Sequence, residues 1–284
     1  MATYIVYTYQ FTPMSSVNLS IEHVVLPIEE RMGKKQEYLE EVLSNENFSF
    51  HYKNAKYAFR ALLSYQNIHI YKIANNRQVK FENDFKVSTL ENHPSVHFIL
   101  DNRENRQRIL IEDNPSSFSD TDVVRNKIKA TLVKPLKEYG LCIDIQREFK
   151  ASEFWDIVNQ YESISMVRFH IQYPNLPRVY DSIKKMLSEA SAATNSKRTT
   201  LELRSNDDES LELARENDDL VSLAKASADS GSQIVLKVKK IKRQIKTGNT
   251  KKSVEIDDIE VMVSDDDLLE KGVDKLLSKL KEIE

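Results

Sequence analysis

The sequence predicts an α+β protein of two domains, each a mixed or antiparallel sheet with helices packed on one face. Three observations carry this. Short segments with strand-like alternation follow one another between residues 59 and 112, separated by Asn-rich turns. Amphipathic segments of helical period flank them and recur towards the C-terminus. Only five glycines occur in 284 residues, which favours long regular elements joined by polar turns over glycine-rich nucleotide loops.

In chain order, Ile5, Tyr7, Tyr9 and Phe11 alternate as a strand, and Tyr4 and Val6 on its other face predict a central position. Glu29 to Leu43, with Met32, Tyr38, Leu39, Val42 and Leu43, reads as one amphipathic helix. Strands follow at 59–65, 68–73, 79–87, 96–101 and 108–112, with turns at Asn75-Asn76 and at 102–105. Ser119 or Asp120 caps a helix through Leu136, whose core face is Val124, Ile128, Leu132 and Leu136; Pro135 kinks or ends it. A strand at 141–145 and a helix at 152–161, carrying the lone Trp155, complete a β-rich α+β domain over residues 1–161.

The second domain, residues 162–284, reads as a strand at 164–172, a break at Tyr173 to Pro177, a helix at 179–190, a strand at 199–204 and a helix at 211–228. A basic β-hairpin follows, with one arm at 233–245, a tip at Thr247-Gly248-Asn249 and a second arm at 254–263. A last helix is capped by Ser264, with Asp265 to Asp267 matching its N-terminal dipole. Its stripe of Leu269, Val273, Leu276, Leu280 and Ile283 spans about two heptads, and fits either docking on its own sheet or a two-fold seam. The expected assembly is a homodimer.

Charge is the strongest functional signal. Formal net charge is -3, yet Ser230 to Val254 holds Lys237, Lys239, Lys240, Lys242, Arg243, Lys246, Lys251 and Lys252 without one acidic residue. A cationic ribbon suits a polyanion, nucleic acid being the usual one; a solvated edge strand guarded by lysines is the competing explanation. Lys127, Lys129, Lys134 and Lys137 form a second basic patch on one helix.

Chemistry is hard to place. The sequence contains no Gly-x-x-x-x-Gly-Lys, Gly-x-Gly-x-x-Gly, Gly-x-Ser-x-Gly or Cys-x-x-Cys motif. His93 and His97 are four apart, but Pro94 opposes the helix that would align them on a metal. Asp144 with Glu148-Phe149-Lys150, and Asp84-Phe85-Lys86, loosely match the acid and Asp/Glu-x-Lys pattern of metal-dependent nucleases. The lone Cys142 excludes a disulfide framework and suits a reducing compartment. No apolar run of about 18 residues occurs, so no direct membrane insertion is expected, and the N-terminus reads as a strand rather than a leader. The expectation is a cytoplasmic protein without a cofactor or a metal, and without catalytic residues.

The order Met166-Val-Arg-Phe-His-Ile-Gln-Tyr-Pro-Asn, a helix, Thr200-Leu-Glu-Leu-Arg-Ser-Asn-Asp-Asp, then Asp218-Asp219-Leu-Val-Ser-Leu-Ala, Gly231 and a basic strand resembles the RexA-like bacteriophage-exclusion proteins and related bacterial phage-defence proteins. The resemblance covers about residues 160 to 250. It implies two α/β domains, a dimer, sequence-tolerant DNA binding and phage exclusion without catalysis, with a second defence protein as a partner. The alternatives are a metal-dependent nuclease built near Glu148 and Lys150, or a protein-binding module whose acidic stretch from Glu255 covers the basic hairpin.

Overall fold

The computed structural model describes residues 1–14, 26–46, 48–52, 55–104, 106–172, 196, 198–259 and 266–283. The chain is α+β and divides into two compact units, one of Met1–Ile145 with Ser253–Glu284, the other of Gln146–Lys252. The division therefore differs from a single boundary near Tyr161 to Ser163. The chain leaves the first unit after Ile145 and returns to it at Ser253.

The first unit is built on a seven-stranded sheet. Its main path runs β10 (Leu141–Arg147), β1 (Ala2–Pro13), β9 (Arg108–Glu112), β8 (Ser95–Asp101), β5 (Ile68–Ala74) and β4 (Phe59–Tyr65), and β15 (Ser253–Ile256) also pairs with β1. Pairing is antiparallel, with Tyr4 opposite Glu112 and Tyr7 opposite Ile109. Strand β1 is buried along most of its length because both of its faces are covered. Ile5, Tyr7, Tyr9 and Phe11 enter one core with Val124, Ile128, Leu132 and Leu136 of α3 (Thr121–Glu138). Tyr4 and Val6 enter another with Leu276, Leu280 and Ile283. Helices thus cover both faces of this sheet, a correction to the expected single face. The terminal stripe is core: Val273, Leu276 and Leu280 of α6 (Asp266–Glu282) are buried within their own unit, which removes them from any seam between copies. The side chain of Leu269 and the expected cap Ser264 lie outside the described residues.

Local signals set most element ends. The Asp120 side chain accepts from the Asp122 N–H at 2.7 Å, capping α3. That helix runs past Pro135 to Glu138. The expected 29–43 helix is two pieces, α1 (Ile28–Gly33) and α2 (Lys35–Ser44), broken where Gly33 weakens helical continuity. A polar chain ties the unit together: Tyr9 donates to Asn102, Asn102 to Glu40, and His69 bridges Glu40 and Ser64.

The segment expected as one strand at 79–87 is a hairpin instead, β6 (Arg77–Asn83) and β7 (Lys86–Asn92). Asp84 and Phe85 both take positive φ, 49° and 61°, the tight two-residue turn that suits the strand twist. Two-residue strands β2 (His51–Tyr52) and β3 (Ala55–Lys56) were not expected.

The second unit has a four-stranded antiparallel sheet in the order β12 (Arg198–Arg204), β11 (Ile164–Gln172), β13 (Val235–Val238), β14 (Ile245–Lys246). Val167, Phe169 and Ile171 of β11 share a core with Phe154, Trp155 and Ile157 of α4 (Ser152–Gln160) and with Leu220, Leu223 and Ala224 of α5 (Asp218–Asp229). This packing of Phe154 and Trp155 assigns α4 to the second unit. Asn217 caps α5 through Leu220 N–H, so that helix begins later than Leu211. The helix expected at 179–190 lies outside the described residues.

The expected long hairpin is corrected here. Strand β13 pairs with β14, Val235 opposite Lys246 and Leu236 opposite Ile245, around a loop at 239–244. The would-be second arm is β15, and it pairs with β1 from Ala2 opposite Ile256 to Ile5 opposite Ser253. The physical reason is apolar: Val254 and Ile256 are buried in the core that holds Tyr4 and Val6. The same pairing commits the stretch from Ser253 to Ile256 to the first unit.

Candidate nucleic-acid interface

Alternation on β11 decides what the second unit presents. Val167, Phe169 and Ile171 point into the helical core, so Met166, Arg168 and His170 take the opposite face. Residues directly opposite in an antiparallel ladder share a face. Arg168 lies across from Glu202 and Val235, Met166 across from Arg204 and Lys237, His170 across from Thr200, and Gln172 across from Arg198. Lys246, opposite Val235, extends that row. Five cations from four strands, Arg168, Arg198, Arg204, Lys237 and Lys246, therefore share the face opposite α4 and α5.

Little acid opposes them. Arg168 Nε reaches Glu202 at 2.6 Å and Arg204 Nε reaches the other oxygen of the same carboxylate at 2.5 Å, so one negative charge serves two guanidiniums. Hydrogen bonds from Arg204 and Arg168 hold the Glu202 carboxyl below its ordinary range. The His170 imidazole is pushed down, first by burial and then by Arg198, Arg168 and Lys246, so it titrates inside a positive field.

The loop between β13 and β14 adds the rest. Lys237 Nζ donates to the carbonyls of Ile241 and Lys242 at 2.5 and 2.8 Å, and Lys239 Nζ donates to that of Asp207 at 2.9 Å. Neutral carbonyls fix these ammonium groups without cancelling their charge. Among the described residues, Lys240, Lys242, Arg243 and Lys246 have no ion pair. A groove of about 480 Å³ borders Met166, Arg204, Asn206, Lys237, Lys239 and Lys240. A second, of about 700 Å³, borders Tyr161, Arg243, Gln244, Lys246 and Asn249.

Two of the sequence-predicted cations fall elsewhere. Lys252 Nζ lies 3.0 Å from Glu148 and 2.9 Å from Asp229, in a site where the three side chains are 19%, 2% and 15% exposed. This lysine, one of the expected phosphate contacts, is engaged as counter-ion to two largely buried carboxylates. Lys251 forms an isolated bridge to Phe149. The expected tip is also pinned: the buried Glu153 carboxylate accepts from the backbone N–H groups of Gly248, Asn249 and Thr250 at 3.0 to 3.1 Å. Gly231 is required nearby, since its φ is +69° and a Cβ would lie 2.6 Å from that of Gln146.

Sequence reasoning missed Arg168, Arg198 and Arg204. Their one legible sign is the polar alternation of Arg168 and His170 within β11; only the ladder brings them beside Lys237. The helix patch is partly used up: Lys127 is buried, 3.7 Å over the Tyr57 ring, and Lys129 pairs with Asp144, while Lys134 and Lys137 are exposed. The acids singled out for a nuclease are engaged in the same way, Asp144 by Lys129 and Glu148 by Lys252. Among the described residues, no three His, Cys, Asp or Glu side chains cluster as metal ligands, and no helix is long and apolar enough to cross a membrane. Chain-wide, no protein-family model and no curated protein matches.

Proposed function

We propose that the second unit binds nucleic acid, duplex DNA foremost, through phosphate contacts of the cations on the sheet face opposite α4 and α5 and on the adjoining loop. The observation that carries this is the cross-strand row of cations flanked by Lys240, Lys242 and Arg243, none of which has an ion pair among the described residues. Charge separation between the units supports it. Gln146–Lys252 contains nineteen Lys and Arg against fifteen Asp and Glu, a net of +4, leaving -7 on the remainder of the chain. Contacts of this kind read phosphates and not base edges, so the binding is sequence-tolerant. The resemblance of residues 160 to 250 to RexA-like exclusion proteins supports DNA as the polyanion, and a non-catalytic role as sensor or scaffold in defence against phage alongside a second protein in the cytoplasm.

The test is a salt titration of duplex binding. Unrelated duplexes bind with similar affinity, and log K falls linearly with log salt at about 0.9 per phosphate neutralised. Replacing Lys240, Lys242, Arg243 and Lys246 by alanine flattens the slope by up to about 3.6 and weakens all duplexes alike. An unchanged slope in that variant refutes the assignment.

A further inference from the structure

The β6–β7 hairpin is the exposed apolar feature that the nucleic-acid reading does not use. Val79, Phe81, Phe85, Val87 and Leu90 are 44%, 48%, 97%, 67% and 61% exposed. Every pair from Arg77–Asn92 to Asn83–Lys86 belongs to this two-stranded ribbon, and among the described residues no third strand joins it. An isolated two-stranded ribbon is marginal in water, and a long apolar edge is a template for another strand.

We infer that two copies of the chain associate here, β6 pairing antiparallel with its counterpart about a two-fold axis at Phe81. Backbone geometry selects the register. The two-residue turn makes Asn83 and Lys86 a hydrogen-bonded pair, and alternation then turns the N–H and C=O groups of Gln78, Lys80 and Glu82 outward. A two-fold axis normal to the sheet places residue i opposite residue j only when i and j have the same parity. With the axis at Phe81, Lys80 faces Glu82 of the second copy and Glu82 faces its Lys80, both at positions whose backbone groups point outward. Phe81 meets Phe81 as the close, non-hydrogen-bonded pair, flanked on the same face by Val79 and Leu90. The edge lysine that would ordinarily repel another strand becomes half of a reciprocal ion pair.

The other edge does not offer this. Lys86 and Glu91 of β7 have opposite parity, so no two-fold register sets them against each other; an axis at Thr89 puts Val87 against Glu91. The charges of the ribbon are also balanced, Arg77, Lys80 and Lys86 against Glu82, Asp84 and Glu91, as a self-complementary surface requires.

Sedimentation velocity and light scattering of the full chain at rising micromolar concentration test this, the monomer being 32.9 kDa. The wild type converts to about twice that mass. Lys80→Glu and Glu82→Lys each weaken association at least tenfold, because each sets like charges across the axis twice. The double swap, Lys80→Glu with Glu82→Lys, restores it, and Phe81→Asp abolishes it. All three positions are on the ribbon, so thermal unfolding stays at the wild-type midpoint. A wild type that stays monomeric overturns the inference. So does a dimer that ignores the single variants, or a double swap that fails to recover.

Discussion

Lys252→Met removes one charge and keeps the length of the side chain. The structure makes its effect large for stability and small for binding, the reverse of what a lysine in a cationic run suggests. Glu148 is 2% exposed and Asp229 15%, and both face the Lys252 ammonium within 3.0 Å. Removing the cation leaves two carboxylates close together with little water to screen them. Breaking a buried pair in this way costs about 3–5 kcal/mol. For a protein of this size that lowers the melting midpoint by roughly 6–20 °C, taking about 2–4 °C per kcal/mol. Urea or guanidinium denaturation followed by circular dichroism measures the loss. Glu148→Gln and Asp229→Asn added to Lys252→Met remove the charges that faced the ammonium, and the triple variant recovers part of the stability. DNA affinity of folded Lys252→Met stays within about twofold of wild type, since no phosphate contact is lost. A stability loss under about 1 kcal/mol, or a DNA slope that falls by a full contact, refutes the counter-ion assignment.

Two further expectations concern the first unit. Leu276→Ala costs about 2–5 kcal/mol, as a large-to-small change in a core does, because Leu276 is 2% exposed among Tyr4, Val6 and Ile256; a denaturation midpoint equal to wild type would instead mark the stripe as a seam between copies. Acid lowers stability through Glu40 and Glu112. Burial alone raises each carboxyl, but hydrogen bonds from His69 and Asn102 to Glu40, and from His97 to Glu112, outweigh it and hold both below the ordinary glutamate range. A depressed carboxyl contributes stability that is complete above its unfolded pKa and is lost as pH falls through the folded one. Denaturation midpoints therefore drop between about pH 5 and pH 3, and His69→Gln with His97→Gln flattens that drop; a pH profile unaltered in the double variant contradicts the pairing.

What could be read from the sequence was local. The alternation of Ile5 to Phe11 announced a strand, and Tyr4 with Val6 announced its central position, where β1 pairs with β9, β10 and β15. The Asp120 cap and the four-residue spacing of Val124 to Leu136 located α3 because helix signals lie within a few residues of each other. The β6–β7 turn was hidden for the opposite reason. Its left-handed positions are filled by Asp84 and Phe85 without a glycine, so the usual Asn-Gly or Asp-Gly signal is missing and two strands read as one. Partner identity was the larger gap. Val254 and Ile256 look like the return arm of a hairpin, and nothing near them says that β1, some 250 residues away, offers the better edge. A separation of 104 residues likewise concealed Glu148 as a partner of Lys252.

These long-range pairings change what the basic segment means. Read as one ribbon, eight cations predict a salt slope near 7, at about 0.9 per phosphate. The fold engages Lys252 in ion pairs with Glu148 and Asp229. It fixes Lys237 and Lys239 on neutral carbonyls, where they keep their charge in set positions. It also adds Arg168, Arg198 and Arg204, which lie thirty or more residues upstream, with one carboxylate, Glu202, shared between two of them. The total charge facing a polyanion changes little, but its geometry changes from a line along one hairpin to a patch across four strands. A line favours contacts along one strand of phosphates. A patch bordered by two grooves fits a backbone crossing the sheet, and under the proposed phosphate binding Arg198 and Lys246, on opposite sides of β11, are expected to contribute to one and the same salt slope.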